Sequence, residues 1–267
     1  MRQNSPPSLR ATPEPRDKNL VTALQKGLEV LTCFGREASR LTPSEVARLT
    51  GSTPASARRA LHTLLASGFL ESDGKRYWMG PRTLLIAHAY LTSRPMAQLA
   101  QPVMEALAER TRESSSLGKL LDEDVIILSR SITRSTLATG LGIGARLPAY
   151  CSALGRVLLA SLPPQDAARR LRAMERVALT PRTIHKLDEL LALLDKCRQQ
   201  GWACSDEELE LGVRSMAVPI TLRTGQTVAA LSISVRADRL RFSDFRSQLL
   251  PHLLKASERL SSRLVSD

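Results

Sequence analysis

The sequence predicts an α+β chain in two parts: three short helices closed by a hairpin, then a longer region where helices alternate with mostly antiparallel strands. Three observations carry this reading. Two helix starts rich in small residues, LTPSEVARLTG and STPASARRALH, follow one another across a single glycine, Gly51. An Asp73-Gly74 dipeptide, the strongest short hairpin signal, separates two strand-like stretches. Beyond residue 95 the apolar residues switch repeatedly between helical and two-residue spacing.

Residues 1–18 hold Pro6, Pro7, Pro13 and Pro15 with little apolar content, which predicts a disordered arm. From there Leu20, Val21, Leu24, Leu28, Val30 and Leu31 recur at helical spacing, closing near Gly35. Thr42, Pro43 and Glu45 form a capping box that starts a second helix, stopped at Gly51. Ser52 or Thr53 caps a third, with Pro54 at its start and Gly68 after its end. Strands at Phe69–Glu71 and Tyr77–Met79 flank the Asp73-Gly74 turn. Three helices followed by a basic hairpin make a winged helix-turn-helix over residues 19–80. Pro81 opens a further helix that ends at Ser93-Arg94-Pro95, so residues 81–94 read as a linker helix.

In residues 95–267 the spacing predicts helices near 97–112, 152–161, 164–174, 187–200 and 242–264. Strands are predicted near 115–121, 124–131, 136–139, 202–205, 214–222 and 227–235. Helices grouped around mostly antiparallel strands form a second, α+β domain.

The 267 residues carry a net charge of +12, which favours an acidic partner; nucleic acid comes first and an anionic membrane surface second. Residues 1–94 hold twice as many cationic as anionic side chains, so the basic character concentrates there. No run of eighteen apolar residues exists and the N-terminus has no apolar signal core, which predicts a cytoplasmic chain without a membrane partner. Cys33, Cys151, Cys197 and Cys204 are dispersed, with no zinc or disulfide spacing, and read as core or pocket residues; no metal or cofactor is implied. The histidines His62, His88, His185 and His252 form no catalytic constellation, and GLGIGAR departs from a dinucleotide fingerprint, so the chain does not read as an enzyme.

On the helix that follows Pro54, Ala57, Ala60, Leu61, Leu64 and Leu65 take the inner face. Ala55, Ser56, Arg58, Arg59, His62 and Thr63 are left outside, with Thr53 at the cap. Small residues permit close approach to the major groove, and either arginine can bond a guanine edge or a phosphate. An isolated arginine pair is ordinarily a solvated surface. Here the capped helix before it, the glycine turn, and Lys75 and Arg76 on the wing arrive in the order that DNA binding requires.

The segments ALQKGLEVLTCF, LPAYCSALGRVLLA (147–160) and GWACSDEELELGVRSMAVPI (201–220) resemble those of the IclR-type bacterial transcription regulators over about residues 20–264. TRSTLATGLGIGARLPAYCSALGRVLLASLP and LTPRT are most similar to the regulators of β-ketoadipate-pathway genes, which respond to protocatechuate, 4-hydroxybenzoate or β-ketoadipate. The resemblance implies a GAF/profilin-like effector-binding domain, operator DNA and a small organic acid as partners, and a homodimer or a tetramer built from two dimers. It also implies effector contacts at Ala153, Leu154, Ser205, Ser215, Ser232 and Ser234. Two alternatives stay open: a regulator of another pathway, answering to an acid such as glyoxylate or pyruvate, or a DNA-binding protein with no small-molecule effector.

Ser232 and Ser234 alternate with Leu231, Ile233 and Val235, so both hydroxyls share one strand face, which either lines a pocket or meets solvent. The helix start at Ser152 offers free N–H groups to a carboxylate. Arg146 and Arg214 either add positive charge there or tie Asp206, Glu207 or Glu208 into a structural ion pair. Many members of the resembling family carry an aspartate where Ser205 stands; losing that carboxylate lowers repulsion toward an anionic effector.

Overall fold

The structure, a computed structural model, describes residues 19–35, 38–93, 95–132 and 141–264. The arm expected at 1–18 and the strand expected at 136–139 lie outside the described residues. The chain divides after Ser93 into two compact units.

In the first unit, α1 (Thr22–Thr32), α2 (Pro43–Thr50) and α3 (Pro54–Ala66) bury Val30, Val46, Ala47, Ala57 and Leu61 against one another. The capping box forms: the Glu45 carboxylate accepts from the Thr42 N–H at 2.7 Å, and the Glu45 N–H donates to the Thr42 hydroxyl at 3.3 Å. Gly51 closes α2 in the left-handed conformation, φ 62°, that a side chain disfavours. Thr53, rather than Ser52, caps α3, accepting from the Ser56 N–H at 3.2 Å. The strands β1 (Leu70–Ser72) and β2 (Tyr77–Met79) pair antiparallel, and Tyr77 also bridges Leu41, tying the hairpin to the residues just before α2. Past Pro81 the chain forms α4 (Thr83–Ser93), largely apolar and without a buried residue.

The second unit is built on β3 (Ser114–Leu121), β4 (Asp124–Ser131), β5 (Arg146–Pro148), β6 (Ala203–Asp206), β7 (Val213–Thr221) and β8 (Thr227–Arg236). They form one antiparallel sheet of order β5-β4-β3-β8-β7-β6. The helices α6 (Ala153–Ala160), α7 (Pro164–Ala173) and α8 (Leu187–Gln200) cover one face. On the other lie α5 (Pro95–Thr111) and α9 (Phe242–Ser261). Strand β8 shows how the faces divide: Ala230 packs toward α6 while Leu231, Ile233 and Val235 pack toward α5 and α9. Helices on both faces replace the looser grouping that the sequence suggests, and β5 is an addition to it.

Two features lock α6 onto the sheet. Gly155 lies against the Ala149 backbone so closely that a Cβ would overlap the Ala149 carbonyl. One position on, Arg156 makes a bidentate pair with Glu208, both contacts 2.6 Å and both side chains almost fully buried. Arg156 also donates to the carbonyls of Tyr150 at 3.1 Å and Cys204 at 2.8 Å. Glu208 in turn accepts from the Ile184 N–H at 3.0 Å, and its own carbonyl accepts from the Thr183 hydroxyl at 2.6 Å. Removing one partner of such a pair strands the other charge in the interior. Glu208→Ala is therefore expected to cost about 3–5 kcal/mol in urea unfolding of the second unit.

Candidate functional site

The helix α3 presents Thr53, Ala55, Arg58, Arg59 and His62 to solvent, with Ser56 half-buried at the cap and Ala57 and Leu61 fully inside. At the hairpin tip the Asp73 carboxylate accepts from the N–H groups of Lys75 at 2.9 Å and Arg76 at 2.8 Å, while Gly74 supplies the φ of 91°. The turn thus holds both cations outward, and both are exposed. Arg40 adds a third positive group, stacked 4.3 Å over the Trp78 ring, whose N–H donates to Glu71 at 2.7 Å. Arg40 was legible only through its place beside Leu41, whose pairing with Tyr77 nothing local in the sequence announces.

In the second unit Ala153, Leu154, Ser205, Ser215, Ser232 and Ser234 all line one cavity of about 150 Å³ between α6 and the sheet. Their arrangement follows from strand register. Ser205 pairs with Ser215, Ser215 with Ser234 and Ser234 with Ser114, so one row of serines crosses four strands. Ser116 and Ser232 make the neighbouring pair, with the Ser232 hydroxyl donating to the Ser116 carbonyl at 3.3 Å. The Ser205 hydroxyl donates to the Cys151 carbonyl at 2.8 Å, fixing the loop that leads into α6. Ser152 caps α6 by accepting from the Gly155 N–H at 3.1 Å, which leaves the first N–H groups of the helix, those of Ala153 and Leu154, without partners inside it. Leu141, Leu147 and Leu209 supply apolar wall.

Arg130 also reaches this cavity, which the sequence reading did not anticipate. The register between β3 and β4 slips: Leu117 pairs with Ser129 but Gly118 with Ile127, so Leu128 is an extra residue. Beyond that bulge the alternation inverts. Ser129 turns to the far face, where it donates to Gln101 of α5 at 2.7 Å, and Arg130 faces the cavity opposite Ser116. Its Nη1 donates to the Leu141 carbonyl at 2.6 Å, and burial pushes the guanidinium below its ordinary pKa. The other charges at the wall are Arg236, neutralised by Asp238 at 2.5 Å, and the exposed Glu210.

Neither arginine considered from the sequence lines the cavity. Arg214 pairs with Asp206 at 2.5 Å, the structural alternative, and Arg146 pairs with Asp124 at 2.6 Å rather than with residues 206–208. Cys33, Cys151 and Cys197 are buried, Cys204 half-buried, and all are free thiols. Among the described residues no cluster of histidine, cysteine and acidic side chains is placed to hold a metal, and no helix is long and apolar enough to cross a membrane.

An exposed small-residue helix with a basic wing, followed by a sheet domain holding a serine-lined cavity, defines a DNA-binding regulator with a sensing domain. Residues 23–74 match the IclR helix-turn-helix domain and residues 88–262 the bacterial transcriptional regulator IclR C-terminal domain; the chain belongs to the IclR family of bacterial transcriptional regulators. It is 37% identical to the Pca regulon regulatory protein of Pseudomonas putida, over 93% of this chain and 86% of that one. A crystal structure of a transcriptional regulator from Rhodococcus sp. RHA1 superposes with a TM-score of 0.76 at 39% identity, covering 91% of this chain and 98% of that one. A double mutant of the PobR inducer-binding domain from Acinetobacter, crystallised with 3-hydroxybenzoic acid, superposes with a TM-score of 0.59 at 30% identity, covering 62% and 97%.

The backbone N–H groups of Arg76 and Lys75 hold the Asp73 carboxyl below the usual aspartate range, and the Thr42 N–H does the same for Glu45. A lowered folded pKa means that the turn and the cap are fully held above the ordinary carboxylate pKa and released as pH falls through the folded value. Carboxyl NMR titration of the whole chain is expected to give both midpoints below those of unstructured aspartate and glutamate.

Proposed function

We propose that this chain is a transcription regulator of aromatic-acid catabolism, answering to a small aromatic carboxylate of the β-ketoadipate-pathway type, such as 4-hydroxybenzoate or protocatechuate. The observation that carries the reading is the cavity: a serine-floored space whose wall carries the half-buried cation Arg130. A space of about 150 Å³ accommodates one benzene-sized ring. The carboxylate sits toward Arg130 and the free N–H groups of Ala153 and Leu154, away from Glu210, and recovers for the guanidinium the charge stabilisation that burial removes. Ser205, Ser215, Ser232 and Ser234 then meet ring substituents, where a missing hydroxyl would leave a buried polar group unsatisfied. The Pca regulon and PobR names of its relatives support the same class of ligand.

At the other end, Ala55 and Ser56 let α3 approach the major groove, Arg58 or Arg59 bonds a base edge, His62 and Thr53 lie toward the backbone, and Lys75 and Arg76 touch phosphate from the wing. Operator DNA places this activity in the cytoplasm. The acting form is a homodimer or a pair of dimers. Leu84, Leu85 and Ile86 of α4, each more than half exposed, and Leu24 of α1 at 62% are too large and apolar to be left in water, and a second copy would cover them. Ligand binding passes through the α4 segment to the spacing of paired recognition helices, so DNA and ligand alter each other's affinity by the same factor.

Two experiments test this. Calorimetry of the full chain against 4-hydroxybenzoate, protocatechuate, β-ketoadipate, pyruvate and glyoxylate is expected to show binding of an aromatic acid. Arg130→Gln should weaken that binding at least about tenfold and Ser232→Phe should abolish it; a preference for pyruvate or glyoxylate would overturn the aromatic assignment. In operator binding, Arg58→Ala or Arg59→Ala should cost about 1–3 kcal/mol at one base position. Lys75→Ala or Arg76→Ala should instead lower the salt dependence by about one counterion.

A further inference from the structure

The second unit contains another cleft, larger than the first at about 280 Å³, at the open edge of the sheet beyond β6. It lies between the C-terminal end of α8 and the start of α9. Its walls are aromatic and apolar: Trp202, Phe242, Phe245, Met216 and Leu193. Phe242 is 47% exposed, an unusual position for a phenylalanine that touches only its own chain. Arg214, bonded to the Leu240 carbonyl at 2.6 Å, lies 5.8 Å from its ring, which fixes where the ring stands.

The charges at this cleft are all positive. Arg156 is consumed by Glu208, but Lys196 and Arg246 line the exposed part and neither is in an ion pair among the described residues. Of the acids beside them in sequence, Asp195 is paired with Arg198, and the Asp244 carboxylate accepts from the Ser243 hydroxyl and does not line the cleft. Two cations over an aromatic floor complement a flat apolar anion. The volume is nearly twice the space that takes a single ring, which suits two fused rings.

We infer that this cleft is a second small-molecule site, taking a bicyclic aromatic carboxylate with its rings against Trp202, Phe242 and Phe245 and its carboxylate between Lys196 and Arg246. The site is separate from the serine-lined cavity. The Cys204–Met216 pair of β6 and β7 belongs to the cleft and the adjacent Ser205–Ser215 pair to the cavity, and successive residues of a strand point to opposite faces.

The test is calorimetry of the full chain with sodium 2-naphthoate. Saturable binding is expected. The double variant K196Q/R246Q, altered at two exposed positions that leave the core intact, should weaken it about tenfold or more. The uncharged 2-naphthalenemethanol should bind that variant and the parent chain alike. S232F, which fills the first cavity, should leave 2-naphthoate affinity within about twofold. Absence of binding, equal 2-naphthoate affinity in K196Q/R246Q and the parent, or loss of binding in S232F would each overturn the inference. So would a change in the mass of K196Q/R246Q by light scattering, which would mean that a second copy of the chain covers the cleft.

Discussion

The sensing half of the molecule is organised by one buried charge pair. Arg156 and Glu208 are far apart in sequence, and each is costly to bury alone. Together they join α6, the Tyr150 loop, the Cys204 strand and the Thr183–Ile184 segment through four further hydrogen bonds. Such a pair adds little net stability compared with a well-packed apolar replacement, but it tolerates few alternative geometries. Ser205 stands between this network and the cavity, its hydroxyl bonded to Cys151 just ahead of α6. The position of Ser205 toward the ligand space therefore depends on charges that do not touch that space.

The same logic separates structural from available charge. Arg214, Arg146, Arg182 and Arg236 are matched by Asp206, Asp124, Glu207 and Asp238, which removes them as anion receptors in a strongly basic chain. At the cavity wall Arg130 is half-buried and donates to the neutral Leu141 carbonyl. In the first unit the logic inverts. The cations of α3 and the wing are exposed, which suits a partner whose own charge lies in phosphates rather than in a pocket.

Much of this was legible in the sequence because it rests on short-range chemistry. Thr42 with Glu45, Thr53 with Pro54, and Asp73-Gly74 each specify local backbone, and the elements appear where those residues place them. The two-residue alternation of Ser232 and Ser234 with Leu231 and Ile233 set the face, and the structure resolves the choice between pocket and solvent in favour of the pocket. What stayed hidden depends on long-range or irregular geometry. A strict alternation puts Arg130 on the wrong face, because the bulge at Leu128 has no sequence signature of its own. The pairing of Arg156 with Glu208 spans 52 residues, and Glu208 was one of three acids that could have served. Strand β5 is three residues long and ends in proline, too short for any periodicity to emerge.

The close approach at Gly155 divides the ligand space into parts that can and cannot diverge among relatives. Because the helix rests directly on the Ala149 backbone, a methyl added at Gly155 displaces the main chain itself, and one added at Gly118 beneath it runs into the Val125 and Leu154 side chains. The floor under α6 is thus closed to adjustment by small steps. Drift in ligand taste has to occur at the side chains of the opposite rim, Leu209, Glu210 and Val213, which can change size or polarity without moving a helix. A descendant of this protein that sensed a different acid would be expected to keep its glycines and rewrite that rim.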